Sequence, residues 1–206
     1  ENVRVRSSIF EIGIASGGWT YGSLSPISFS EDDNTNTGKR ILLDQNTLIC
    51  KGKGSRTDIY AISGIRYTCL AAIQGLKVRN NIFQGFTGGS SRGAYFLGEG
   101  VTAMDSLTFD NNVVYGCANS NDPQFYAGFT SGTHYDDNSD DINSDPLFVG
   151  SADYRLTQNS PAVSAGVVTG VLKDFVNHDF ITADPDIGAY SYSTPIEQPI
   201  VIDYPS

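Results

Sequence analysis

Four side chains give this sequence its candidates for proton chemistry: Lys77 and Arg79, two residues apart, and the adjacent pair His134 and Tyr135. A Lys, Arg, His or Tyr held beside an activated C–H can remove its proton, while a neighbouring cation neutralises an adjacent carboxylate. Directly after that pair the chain runs Asp136-Asp137-Asn138-Ser139-Asp140-Asp141. Its side-chain oxygens are the ligands a hard cation such as Ca²⁺ takes. The run lacks the glycine and the closing glutamate of an EF-hand. Asp136, Asp137, Asn138, Asp140 and Asp141 therefore stand as a candidate Ca²⁺ loop, with a solvated acidic loop as the plain alternative. Recognition is the other chemistry on offer. Trp19, Tyr21, Tyr95, Phe125 and Tyr126 fall outside the apolar pattern, in stretches that read as loops rich in Gly, Ser, Asn and Asp. Such rings cover the CH faces of a sugar while polar neighbours take its hydroxyls. The competing reading is that these loops fold back and bury their own rings. Cys50, Cys69 and Cys117 lack CxxC spacing and His neighbours, and read as small buried residues rather than a disulfide framework or zinc site.

The elements that must position these groups come from a repeated phrase. VRVRSSIF from Val3, ILLDQNTL from Ile41, LKVRNNIF from Leu76 and LTFDNNVV from Leu107 align, with starts 38, 35 and 31 residues apart, a range of periods typical of stacked arrays. Apolar columns form at Val3, Ile41, Leu76 and Leu107, at Val5, Leu43, Val78 and Phe109, and at Phe10, Leu48, Phe83 and Val114. The first two columns lie two residues apart, which is the alternation of a strand with one buried face. The column between them and the corner carries Arg6, Asp44, Arg79 and Asp110. Alternating surface charge is the simplest account of it. A polar corner follows, and its column Ser8, Asn46, Asn81 and Asn112 matters most. Asn tolerates left-handed backbone angles, and its amide bonds to nearby backbone, so stacked amides can form a ladder.

Through that corner and its columns the chain resembles the right-handed parallel β-helix family of pectate-lyase-like proteins, over nearly its whole length. A second resemblance lies in Asp145-Pro146-Leu147-Phe148, Asp153-Tyr154-Arg155-Leu156, Ser160-Pro161-Ala162-Val163-Ser164-Ala165-Gly166 and Asp186-Ile187-Gly188-Ala189-Tyr190. This succession is similar to the closing segment of secreted and surface β-helix proteins of Bacteroidetes type. The resemblance implies an all-β fold, a right-handed parallel β-helix solenoid with an irregular C-terminal cap. Residues 1–144 would form coils with loop insertions, 145–192 the terminal coils and cap, and 193–206 a Pro-spaced tail that is a linker or a docked strand. A cap is expected on physical grounds too, because a stack of parallel strands leaves unpaired backbone and open core at its last coil. The first copy starts at Val3 with no comparable cover, so the remainder of a longer chain or another protein is expected there.

With 206 residues, a formal charge of −10 and a pI near 4.4, the chain is large enough for one ample core and carries the wrong charge for nucleic acid. No apolar run reaches a membrane span. The expectation is a non-catalytic structural or adhesive module, secreted or at the cell surface, contacting polysaccharide through the rings named above. The alternative implied by the resemblance is a polysaccharide lyase or glycoside hydrolase using His134, Tyr135, Lys77 and Arg79. A viral tail or fibre component is the third reading.

Overall fold

The structure is a computed structural model that describes residues 2–13, 22–24, 26–31, 40–51, 59–62, 65–69, 73–86, 95–97, 104–105, 107–117, 124–125, 135–137, 140–180 and 183–192. Every regular element among them is a strand, and no helix is long and apolar enough to cross a membrane. The repeated phrase supplies two sheets. Its first half gives a five-stranded parallel sheet of Asn2–Arg6, Arg40–Asp44, Lys77–Arg79, Leu107–Asp110 and Tyr135–Asp137, paired in that order. Its second half gives a parallel sheet of Ile9–Ile12, Thr47–Cys50, Ile82–Gln84 and Val113–Tyr115. A third parallel sheet of Ile27–Glu31, Ile65–Cys69, Tyr95–Leu97 and Gln124–Phe125 keeps the same order between the copies. Register follows the sequence columns: Val5 faces Leu43, Leu43 faces Val78, and Val78 faces Phe109.

The apolar columns make the core. Leu43, Leu48, Val78 and Phe83 are fully buried, and Phe83 meets Phe86 edge to face at 6.4 Å between ring centres. In the first copy Val3, Val5 and Phe10 are only half-buried. A fifth copy that the phrase alignment does not include follows Leu107 by 28 residues: Tyr135 pairs with Leu107, Asp137 with Phe109, and Ile142 bridges to Val113.

At each corner the left-handed angle and the amide ladder belong to different residues, which corrects the expectation that one Asn column does both. Positive φ falls on Ser7, Gln45, Asn80 and Asn111, at 44°, 57°, 54° and 50°. The next residue builds the ladder. Asn46 Nδ2 donates to Asn81 Oδ1 at 2.9 Å, and Asn81 Nδ2 donates to Asn112 Oδ1 at 3.1 Å. Each acceptor oxygen also takes the backbone N–H of the preceding copy, Ser8 to Asn46 at 3.1 Å, Asn46 to Asn81 at 3.0 Å and Asn81 to Asn112 at 3.0 Å. Each amide further donates to a strand carbonyl of the copy before it, those of Val5, Leu43 and Val78. Asn46, Asn81 and Asn112 are fully buried, so these bonds satisfy polar groups that water cannot reach.

The C-terminal segment also departs from the expected end cap. Its described contacts run sideways across the copies. Asn111 Nδ2 donates to the Ala165 carbonyl at 2.9 Å. Asn80 bonds Val167 twice, Nδ2 to its carbonyl at 2.7 Å and Oδ1 from its N–H at 2.9 Å. Thr169 Oγ1 meets Gln45 Oε1 at 3.0 Å, and Ser7 Oγ donates to the Lys173 carbonyl at 2.7 Å. The chain thus passes from the fourth copy to the first as a strap, held by the left-handed corner residues. The physical reason is the outer face of the second sheet. Ile82 and Val113 turn their apolar side chains outward there, and the segment buries them with Leu156, Ala162 and Ile187. Two glycines set how close it comes. A Cβ on Gly166 would stand 2.9 Å from Asn80, and one on Gly188, whose φ is +103°, would stand 2.6 Å from Ile82. Buried Asp186 ties the segment to itself, accepting from Ser164 N at 2.7 Å and Tyr192 N at 2.6 Å.

Candidate functional site

Between the second sheet and the antiparallel hairpin Phe148–Gly150 and Asp153–Leu156 lies a cleft of about 680 Å³. Its sheet wall is Ile49, Cys50, Lys51, Gln84 and Gly85, and its hairpin wall is Asp145, Leu147, Phe148, Gly150, Ser151 and Tyr154. The hairpin is set in place locally. Asp145 Oδ1 accepts the Leu147 N–H at 2.9 Å, which supports Leu147 at φ 51° and leaves its side chain 40% exposed. Ser160 Oγ donates to the carbonyl of buried Pro146 at 2.6 Å. Phe148 and Tyr154 then pack edge to face at 5.3 Å.

The cleft's ammonium is paired. Lys51, whose backbone N–H bonds the Ile12 carbonyl at 2.9 Å, places Nζ 2.9 Å from Glu11 Oε2 and 5.8 Å from the centre of the Tyr154 ring. The Tyr154 hydroxyl donates to the same Glu11 oxygen. That hydroxyl, and then Lys51, hold the Glu11 carboxyl below its ordinary range. The Lys51 amine is raised by Glu11 first and Tyr154 second, and the Tyr154 phenol is raised by burial and then by Glu11. At neutral pH the trio is an ammonium, a carboxylate and a protonated phenol. Gln84 stands apart from it, with its Oε1 buried and without a hydrogen-bond partner.

The sequence-derived candidates lie elsewhere. Lys77 and Arg79 share one strand, and the Tyr135 strand is in the same sheet with Leu107–Asp110 between them. His134 lies outside the described residues. Arg79 is committed to buried Asp44, with Nε to Oδ1 at 3.0 Å and Nη2 to Oδ2 at 3.1 Å across the register. Burial pushes the Asp44 carboxyl up, against the pull of Arg79. Asp136 and Asp137 are not in a loop, as expected, but on the fifth strand of the first sheet, because they begin a further copy of the repeat. Asp141 is the last rung of the ladder, its Oδ1 taking Asn112 N at 2.7 Å and Asn112 Nδ2 at 3.1 Å. Asp140 is exposed and Asn138 lies outside the described residues. Among the described residues no group of three or more His, Cys, Asp or Glu is gathered as a metal cluster.

Tyr95 and Phe125 were also expected in loops and are in strands instead. They lie on neighbouring strands of the third sheet, Tyr95 opposite Ile65 and Phe125 opposite Leu97, because each continues the pairing order of its copy. Trp19, Tyr21 and Tyr126 lie outside the described residues. Cys50 is buried, and burial pushes the Cys117 thiol to about 11, which fits small packed residues rather than nucleophiles. Sequence reasoning missed Glu11, Lys51 and Gln84, and gave Tyr154 no role beyond its motif. The residues that meet are up to 143 positions apart, and only the closing motif Asp153-Tyr154-Arg155-Leu156 marked one wall. Comparison with protein-family models, with curated proteins and with solved structures found no match to this chain.

Proposed function

We propose that the chain is a right-handed parallel β-helix of a secreted or cell-surface protein, acting as a non-catalytic structural or adhesive module that contacts glycans. The observation that carries this reading is the interlocking of the copies. Three sheets run in one copy order, a buried amide ladder joins every copy at one corner, and a strap crosses four copies outside it. Crossovers between parallel strands are right-handed in nearly all proteins, which supplies the hand. The half-buried Val3, Val5 and Phe10 support a partner over the first copy, either a further part of a longer chain or another protein.

The enzymatic alternative, a polysaccharide lyase or glycoside hydrolase, draws on Lys77 and Tyr135 flanking one strand. It is weakened by Arg79, whose guanidinium is already engaged by Asp44. The test is incubation with acidic and neutral polysaccharides, with and without Ca²⁺, reading unsaturated product and retention on immobilised glycan. Retention without product is expected. Product would establish the lyase reading, and a stable trimer would turn attention to a viral fibre. Absence of both signals would remove glycan contact and leave a structural role.

A further inference from the structure

We infer that the cleft between the second sheet and the 148–156 hairpin is a binding site for an uncharged sugar, with Gln84 taking a hydroxyl and Phe148 and Tyr154 forming the apolar wall. The inference rests on the glycan-contacting reading above and moves its site away from the aromatic candidates of the sequence. At about 680 Å³ the cleft falls within the roughly 300–1,000 Å³ of small-ligand sites. Its lining has the mixed character a sugar needs. Ile49, Leu147, Phe148 and Tyr154 offer apolar surface to CH groups, and Lys51, Gln84 and Ser151 offer polar atoms to hydroxyls.

Two observations select the ligand. Gln84 Oε1 is a buried acceptor without a donor, a state that is unfavourable until a donor reaches it. Gln84 lines the cleft, and the terminal torsion of a Gln side chain is soft, so a sugar hydroxyl bound there can supply the missing donor. Charge decides against a uronate. The cleft's ammonium, Lys51, is already paired with Glu11, Asp145 adds a carboxylate to the wall, and the chain as a whole carries −10. An anionic sugar would meet a neutralised cation in a negative field, and a neutral one meets no such penalty.

The experiment titrates the full chain with neutral gluco-, manno-, galacto- and xylo-oligosaccharides and with oligogalacturonides, by calorimetry and by NMR. Two variants accompany it, Gln84→Leu and Ser151→Trp, each first shown to unfold at the wild-type temperature. A neutral oligosaccharide should bind, lose at least about tenfold in affinity with Gln84→Leu, and lose all binding with Ser151→Trp. Neutral binding unchanged in both variants would overturn the cleft and leave glycan contact standing elsewhere. Binding of oligogalacturonides in preference would overturn the charge argument. No binding of either class would remove the cleft and glycan contact together, leaving the structural reading.

Discussion

At every corner of the first sheet two neighbouring residues do opposite work. The column Ser8, Asn46, Asn81 and Asn112 turns into the fold, its three asparagines bonding both the copy before and the copy after. The column Ser7, Gln45, Asn80 and Asn111 takes the left-handed angle and holds the strap. Both columns are polar, and Asn80 and Asn81 are equally buried, so neither composition nor burial separates them. Backbone angle does. A single left-handed residue swings the chain through the corner, and the two side chains leave on opposite sides. One column fixes copies to one another, and the other fixes a distant segment to the copies.

The sharpest way to separate the two is to delete each amide in turn. Asn81→Ala strips a rung that serves Asn46, Leu43 and Asn112 together, and should cost about 2–4 kcal/mol in chemical unfolding because several buried groups lose partners. A loss of a few tenths would remove the ladder as a stabilising device. Gly188→Ala comes next, at about 1–3 kcal/mol, since the methyl meets Ile82 in a backbone conformation that L residues avoid. Hydrogen exchange should show the loss in residues 160–192 first, and uniform loosening of the sheets instead would mean that the strap and the copies unfold as one unit. Asn80→Ala should cost about 1–2 kcal/mol, and Asn80→Gly less, because glycine keeps the angle and gives up only the two bonds to Val167. Equal losses in the two variants would assign the effect to the strap bonds alone.

The smallest effect concerns the other end of the C-terminal segment. Glu11 titrates below its ordinary value near 4.5, so its contact with Tyr154 and Lys51 contributes above that pH and is lost as the pH falls through the lower folded value. Glu11→Gln should flatten that acid limb, followed by the unfolding midpoint between pH 5 and pH 3. An unchanged limb would mean the contact adds no stability.

The sheets were legible because their signal is local and repeated. Val5, Leu43, Val78 and Phe109 recur at one position of one phrase, and the structure pairs them in that register. The fifth copy was not legible in the same way. Its spacing of 28 residues continues the shortening series of 38, 35 and 31, but Asp136, Asp137 and Asp141 stand where earlier copies have other residues, so its acidic residues read as a metal loop rather than a strand. The cleft and the strap were not legible. Both depend on where residues 145–192 dock, and docking is chosen by the outward face of the second sheet, where Thr47, Ile82 and Val113 are buried. A strand buried on both faces reads as a near-continuous apolar run, as Ile82-Phe83 and Val113-Val114 do, but such a run does not say which segment covers it. Once the docking is known, the closing motifs explain themselves: Gly166 and Gly188 permit close approach, Asp186 gathers backbone N–H groups, and Ala162 and Ile187 fill the interface.

Across the fourth, third and second copies the strap advances by two residues per copy. Its contacts at Ala165, Val167 and Thr169 fall two residues apart on three successive copies, before it reaches the first copy at Lys173. Strands in a sheet stand about 4.8 Å apart, a distance that two residues of extended chain span with slack. The segment therefore works as a gauge of the stack. Duplicating one copy would put every later corner out of step with its partner unless about two residues entered the strap at the same point, so the number of copies and the length of this segment are bound to change together.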